Sequence, residues 1–282
     1  MKSVDIVYFL KHSSANDLEI LISLRSVAKH FSDVGKVWIV GDRPTFLTDD
    51  TTIVEHIPHD YLAAPIRFQT PIVNQFQLLF ASSLLPELTH EFLYFCDDYV
   101  LLDRLTLEEA RKSYYLEDMD KITKRGRGIW MESLWRTYEQ LKRLGYPRFN
   151  FETHCPAYFR RKWVFDAYVD LKDFVTNDRY FGLLAETAIL NHAIAKQGVK
   201  PVSIRDERLR IGFWGKHPQY DSIQAQCRGK RFLNFDDAGF GPDLKRYLLE
   251  MFSEPCRYEK DGASANHMNG LAASLGCFQV TA

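Results

Sequence analysis

Glu91-Phe92-Leu93-Tyr94-Phe95-Cys96-Asp97-Asp98 is the stretch that decides the fold of this chain. Four apolar residues between polar ones predict a short buried strand, Glu91 to Phe95. Strands buried on both faces belong to mainly parallel sheets covered by helices. In open α/β sheets, ligands bind beyond the carboxyl ends of the strands, and Asp97 and Asp98 fall at such an end. Two adjacent carboxylates there offer hard oxygen ligands to Mg²⁺ or Mn²⁺, a cation that bridges to the diphosphate of a nucleotide. Neutralising that diphosphate stabilises it as a leaving group. The competing reading is a turn or a helix cap.

The pattern upstream agrees with a doubly covered sheet. Val4 to Phe9 reads as a strand. Asn16 to His30 follows as a helix, with Leu18, Leu21, Ile22, Leu24 and Val27 at helical spacing and Asn16 or Asp17 as its cap. Lys36 to Val40 is a second strand, ended by the turn-forming Gly41-Asp42-Arg43-Pro44, and Thr52 to Ile57 is a third. Asn74 to Leu85 reads as a helix stopped near Pro86. Strand–helix–strand alternation predicts an α/β fold with a mainly parallel central sheet flanked by helices. Downstream, Leu105 to about residue 145 is charged and reads as a helical insertion. Trp163 to Val175, Gly182 to Lys196 and Leu244 to Phe252 read as helices, and Arg231 to Phe235 as a late strand. Residues 1–260 are expected to form one domain. The aperiodic, small-residue stretch 261–282 is expected to be a tail.

Composition narrows the class. With 282 residues, 46 % of them hydrophobic, the chain is long enough for a large core and too apolar for extended disorder. A net charge of −1 supplies no bulk field for nucleic acid, and no nucleic-acid-binding module is recognisable. Five scattered cysteines without a C-x-x-C pair argue against a zinc ribbon or a disulfide framework and fit a reducing, cytoplasmic setting. The N-terminal apolar run has no cleavage site, and no segment approaches the roughly 20 apolar residues that span a bilayer. The expectation is a soluble protein, with peripheral membrane association left open.

The ordered series of short motifs resembles the Stealth family, which is similar to glycosyltransferases of the GT-A fold and includes hexose-1-phosphate transferases. The resemblance rests on Leu18-Glu19, Ser23-Leu24-Arg25-Ser26-Val27, Val37-Trp38-Ile39-Val40-Gly41-Asp42 with Pro44 and Phe46-Leu47, Phe68-Gln69-Thr70, Leu85-Pro86-Glu87-Leu88 and the strand ending in Asp97-Asp98. It continues through Trp130, Ser133, Leu134, Leu141, Gly145, His154 and Pro156, then Arg231-Phe232-Leu233-Asn234-Phe235-Asp236-Asp237 and Phe252 to Glu259. The family's opening block is reduced here to Asp5-Ile6-Val7-Tyr8. Gln69 stands for an Asn, Cys96 for an Asn, and Leu183 roughly where an Arg is expected.

The resemblance implies a GT-A-like fold, a nucleotide-sugar donor, and a glycan or glycolipid acceptor of a surface polysaccharide. It implies transfer of a hexose-1-phosphate; transfer of the sugar itself, or sugar-nucleotide binding without turnover, are the alternatives. Asp98 and Asp97 are the expected metal ligands, with His217 added by analogy with GT-A-like enzymes that use a late His. Arg136, Asp97 and Arg25 are the expected donor contacts. His154 is the expected acid/base, since an imidazole titrates near neutrality. Asp237 and Glu186 complete the catalytic candidates. Each has a plainer reading: a hydrogen-bonded loop His, a strand-to-helix turn at Asp236-Asp237, and a solvent-facing helix Glu. Cys155 beside His154 is adjacency in sequence, which is not a nucleophile–base geometry.

Overall fold

The structure, a computed structural model, describes residues 3–124, 126–178 and 181–261. Its strands in chain order are β1 (Val4–Leu10), β2 (Val34–Gly41), β3 (Val54–Ile57), β4 (Glu91–Phe95), β5 (Val100–Leu101) and β6 (Ser113–Tyr115). They continue as β7 (Glu117–Asp118), β8 (Phe149–Asn150), β9 (Ala157–Arg160), β10 (Pro201–Ser203), β11 (Arg210–Phe213) and β12 (Phe232–Phe235). The helices are α1 (Leu18–His30), α2 (His59–Ala63), α3 (Gln75–Ser83), α4 (Leu107–Ala110) and α5 (Ile129–Arg143). After them come α6 (Arg161–Leu171), α7 (Ala185–Gln197), α8 (Ile204–Glu207), α9 (Tyr220–Cys227) and α10 (Pro242–Met251).

The central sheet has the order β3-β2-β1-β4-β9. β1 to β4 run parallel, and β9 closes the edge antiparallel to β4. β1 lies between β2 and β4, and Ile6, Val7 and Tyr8 are wholly buried, as an inner strand covered on both faces must be. Asp5 interrupts this apolar run at little cost because its carboxylate is satisfied. It accepts from the amides of Lys36 (2.9 Å) and Thr89 (3.0 Å) and from the Trp38 indole (3.0 Å). A smaller sheet, β11-β12-β5, leans on the first; β11 is parallel and β5 antiparallel to β12.

Some helix ends follow local chemistry directly. Asn74 caps α3 by accepting from the Gln77 amide at 3.1 Å, and Gly198 ends α7 in the left-handed conformation (φ 67°). At α1 the expected cap fails: Asp17 sits at the N-cap with φ 60° and makes no side-chain cap. Its carboxylate instead accepts from His12 Nδ1 (2.7 Å) and the Ser13 amide (3.0 Å), tightening the loop after β1.

The segment expected to be a helical insertion is mixed. It holds α4 and α5, but also β6 and β7, which pair with β10 and β8. Its charged surface periodicity hid strands too short to show alternation. Arg125, within that segment, and all of the expected tail except Asp261 lie outside the described residues. Among the described residues no helix is long and apolar enough to cross a membrane.

Candidate functional site

Asp97 and Asp98 follow β4 directly, at the carboxyl edge of the central sheet. Two small hydroxyls on α1 hold the turn they make. Ser23 donates to the Tyr99 carbonyl at 2.5 Å, and Ser26 accepts from the Leu101 amide at 3.0 Å. Both serines are wholly buried, so these bonds tie the backbone on the far side of the acid pair to the helix beneath it. Because β1 is the neighbour of β4, the loop after β1 lies at the same edge. There Asp17 joins His12, and Ser13 donates to Glu19 at 2.7 Å.

The acid pair sits in a field of its own sign. Asp97 is pushed up to about 6, first by burial and then by the charges of Glu19 and Asp17. Asp98 is pushed up to about 7, again first by burial and then by Asp97. His12, at the mouth of the loop, is raised by its hydrogen bond to Asp17.

β12 supplies a residue that sequence reasoning passed over. Leu233 pairs with Val100, and continuing that antiparallel register brings Asn234 toward Tyr99 and Asp98. The Asn234 side chain is wholly buried and opposes the rise of Asp98, yet neither its Oδ1 nor its Nδ2 has a hydrogen bond of ordinary geometry among the described residues. Its signal was an amide inside the apolar run Phe232-Leu233-Asn234-Phe235, which gains nothing from burial unless something meets it.

Other expectations change. Arg25 is no donor contact: at 2 % exposure, its guanidinium is engaged with both oxygens of Glu259, at 2.8 and 2.7 Å, and with the Phe252 carbonyl at 2.9 Å. Arg136 donates to the Gly182 carbonyl (3.3 Å) and lies over the Phe181 ring, so its charge is committed to that loop. His154 adopts a left-handed backbone (φ 53°) against Trp214, with ring centroids 5.7 Å apart. Burial, and then the charge of Arg210, lower it to about 4, which favours the neutral imidazole near neutral pH, the form an acid/base uses to accept a proton. His217 packs against Gly241, where a Cβ would stand 2.4 Å from its Nδ1. Among the described residues no three His, Cys, Asp or Glu side chains are gathered as a ready metal-ligand group, so His217 does not join Asp97 and Asp98. Asp236 accepts from the amides of Gly215 and Gly239, which is the turn reading, and Asp237 is exposed beside it. The Cys96 and Cys155 thiols are both raised by burial, Cys155 to about 12, so neither is a ready thiolate.

Glu186, a catalytic candidate whose plainer reading was a solvent-facing helix Glu, is buried at 2 % exposure near the start of α7, and its Oε2 has no partner among the described residues. Burial raises it well above an ordinary carboxyl, and the neighbouring Glu152 raises it further. Glu152 is raised by the same burial, against two bonds from Thr187. In the unfolded chain both would titrate near 4.3. The folded state therefore holds protons that the unfolded chain releases. This contribution to stability is complete below about pH 4 and is lost as pH rises through neutrality. Urea unfolding in chelator should show the fold weakening from pH 5 to pH 8.5. Glu186→Gln should flatten that slope, gaining about 1.4 kcal/mol at the alkaline end for every tenfold difference in proton affinity between the folded and unfolded carboxyl. An unchanged slope in the variant would place its source elsewhere.

No protein-family model matches the chain, and no curated protein matches it either. Solved structures do. A bifunctional glycosyltransferase, WbbM, in its apo form, aligns over 95 % of this chain at 12 % identity with a TM-score of 0.52. The chain spans about half of that protein, 51 % of its length. A galactosyltransferase, LgtC, in complex with donor and acceptor sugar analogues, aligns over 89 % of this chain and 95 % of its own, at 14 % identity and a TM-score of 0.46. The fold, a mainly parallel central sheet flanked by helices, matches that of the GT-A-type glycosyltransferase WbbM.

Proposed function

We propose that this chain is a nucleotide-sugar-dependent transferase that holds a divalent cation, Mg²⁺ or Mn²⁺, on Asp97 and Asp98 and transfers a sugar to a glycan or glycolipid hydroxyl. One observation carries the reading. Two carboxyls raised first by burial and then by acidic neighbours, Asp97 by Glu19 and Asp98 by Asp97, stand at the carboxyl edge of the sheet beside the buried amide of Asn234, which has no hydrogen bond of ordinary geometry among the described residues. Such a site is rich in oxygen and short of positive charge, which fits a hard cation. When bound, the cation would neutralise the diphosphate of the donor as it departs. The protein's own part is positioning. Ser23 and Ser26 fix the turn that presents both carboxylates, and Asn234 is placed to meet a ligand atom beside Asp98. His154, lowered to about 4 and so uncharged near neutral pH, is suited to accept or donate a hydrogen bond without changing charge.

Transfer of a whole hexose-1-phosphate is the second reading, and it rests on the ordered Stealth-like motifs through Glu259. The two differ in the bond cut, so one assay separates them. The full chain is incubated with a panel of nucleotide sugars, Mn²⁺ and candidate acceptors, and the released nucleotide is identified. A nucleoside diphosphate is expected. A monophosphate would select the hexose-1-phosphate reading. Donor binding without release across the acceptor panel would make the protein a sugar-nucleotide-binding module.

A further inference from the structure

A pocket lies on the smaller sheet's side of the molecule, and its charge is opposite to that of the acid pair. It has a volume of about 350 Å³ and is lined by Leu116, Ile204, Arg205, Arg208, Arg210 and Lys230. Four of these six side chains are cationic and none is acidic. Arg205 reaches Glu117 at 3.4 Å, and Lys230 donates to the Arg208 carbonyl at 3.0 Å. Arg208 and Arg210 make no ion pair among the described residues, and the Nε of Arg210 is buried without a hydrogen-bond partner. Like charges gathered this way repel one another, and an anion between them relieves the repulsion. The backbone adds a second sign. Arg208 ends α8 in the left-handed conformation (φ 52°), where Gly or Asn is normally preferred.

One lining residue, Arg210, also meets an exposed aromatic ring outside the pocket. Arg210, Gly212 and Trp214 alternate along one face of the strand and its extension. Gly212 lets the indole fold back over the strand, since a Cβ there would stand 2.2 Å from the ring. Arg210 then lies 4.8 Å from the ring centroid, while Trp214 stays 46 % exposed. His154 flanks the same ring, and Tyr99, next to the acid pair, is near enough to Arg210 to influence it. An aromatic face beside fixed charges suits the C–H face of a pyranose that carries an anionic group. The volume exceeds what a bare phosphate fills and stands at the small end for ligand sites. Guanidinium groups bind phosphoryl oxygens through paired hydrogen bonds.

We propose that the pocket formed by Arg205, Arg208, Arg210 and Lys230 binds a phosphoryl group of the acceptor, carried on its sugar or on its lipid, with the adjoining sugar ring against Trp214. This deepens the transferase reading and rests on it for the word acceptor; the anion site itself does not. The test measures binding by calorimetry and by indole fluorescence on the full chain. The probes are inorganic phosphate, glucose 6-phosphate, N-acetylglucosamine 1-phosphate and neutral glucose. Vesicles of phosphatidylcholine with and without phosphatidic acid supply the lipid arm.

Sugar phosphates should bind and perturb the fluorescence, and glucose should not. Arg208→Ala combined with Lys230→Ala, both at the surface, should weaken sugar phosphates at least tenfold. Trp214→Leu should weaken sugar phosphates but leave inorganic phosphate unchanged. Binding confined to phosphatidic acid vesicles assigns the phosphate to the lipid. Failure of every phosphate probe, or equal affinity in the double variant, overturns the proposal. Nucleotide-sugar binding with Mn²⁺ is measured on the same samples. If the double variant loses it in proportion, the pocket serves the donor and the acceptor assignment is wrong. If the unaltered chain binds sugar phosphate here but no nucleotide sugar, the anion site stands and the transferase reading falls.

Discussion

Asp98→Asn is expected to reduce transfer by about a thousandfold, equivalent to roughly 4 kcal/mol of lost transition-state stabilisation. The substitution keeps the size of the side chain and one oxygen, and removes the charge that would anchor a divalent cation. Such a loss alone does not separate chemistry from damage to the fold, but stability does. Asp98 is half-buried, raised to about 7 first by burial and then by Asp97, so its ionisation opposes folding as pH rises through neutrality. The asparagine cannot ionise and does not repel Asp97. In chelator at pH 8 the variant should therefore melt no lower than the unaltered chain, and its Mn²⁺-dependent rise in melting temperature should disappear. Lost activity with a retained or raised melting temperature is the signature of a functional acid in a site that costs stability. Normal transfer by the variant would remove Asp98 from the metal role.

What the sequence disclosed and what it withheld divide along a physical line. The inner stretches of β1, β2 and β4 (Ile6–Tyr8, Val37–Val40 and Phe92–Phe95) are apolar runs buried on both faces, and burial is written into composition one residue at a time. Asp97 and Asp98 were legible because a strand end is a local event. That Asp17 and Glu19 share their field is not local; it follows from β1 lying beside β4, and strand order is set by long-range packing. The two-residue β5 and the four-residue β11 are too short to display a period, so of the smaller sheet only β12 was read and its partners were not. With it went the place of Asn234 and the gathering of Arg205, Arg208, Arg210 and Lys230. Arg25 misled for a different reason. An Arg on a buried helix face invites a ligand, and only the return of the chain after α10 supplies Glu259 as its partner.

Arg25→Ala, accordingly, should unfold the protein rather than blind it to its donor. Both side chains of the pair are 1 % exposed, and the two oxygens of Glu259 face the guanidinium fork. Removing one partner leaves the other charge buried and uncompensated, a loss of about 3–5 kcal/mol. The damage extends beyond the pair. Arg25 also donates to the Phe252 carbonyl, Glu259 accepts from the Cys256 amide at 2.8 Å, and the same segment pairs with the 46–48 loop through Lys260 and Tyr258. For a chain of this length the melting temperature should fall by roughly 10 °C. Replacing both residues, Arg25→Met with Glu259→Met, should recover much of that loss, because an apolar pair of similar volume carries no stranded charge. A donor contact behaves otherwise. It would weaken nucleotide-sugar binding with little change in melting, and the double replacement would bind as poorly as the single one. Melting curves of the three variants, beside one donor titration each, decide between a clasp that closes the chain and an arginine that reads a phosphate.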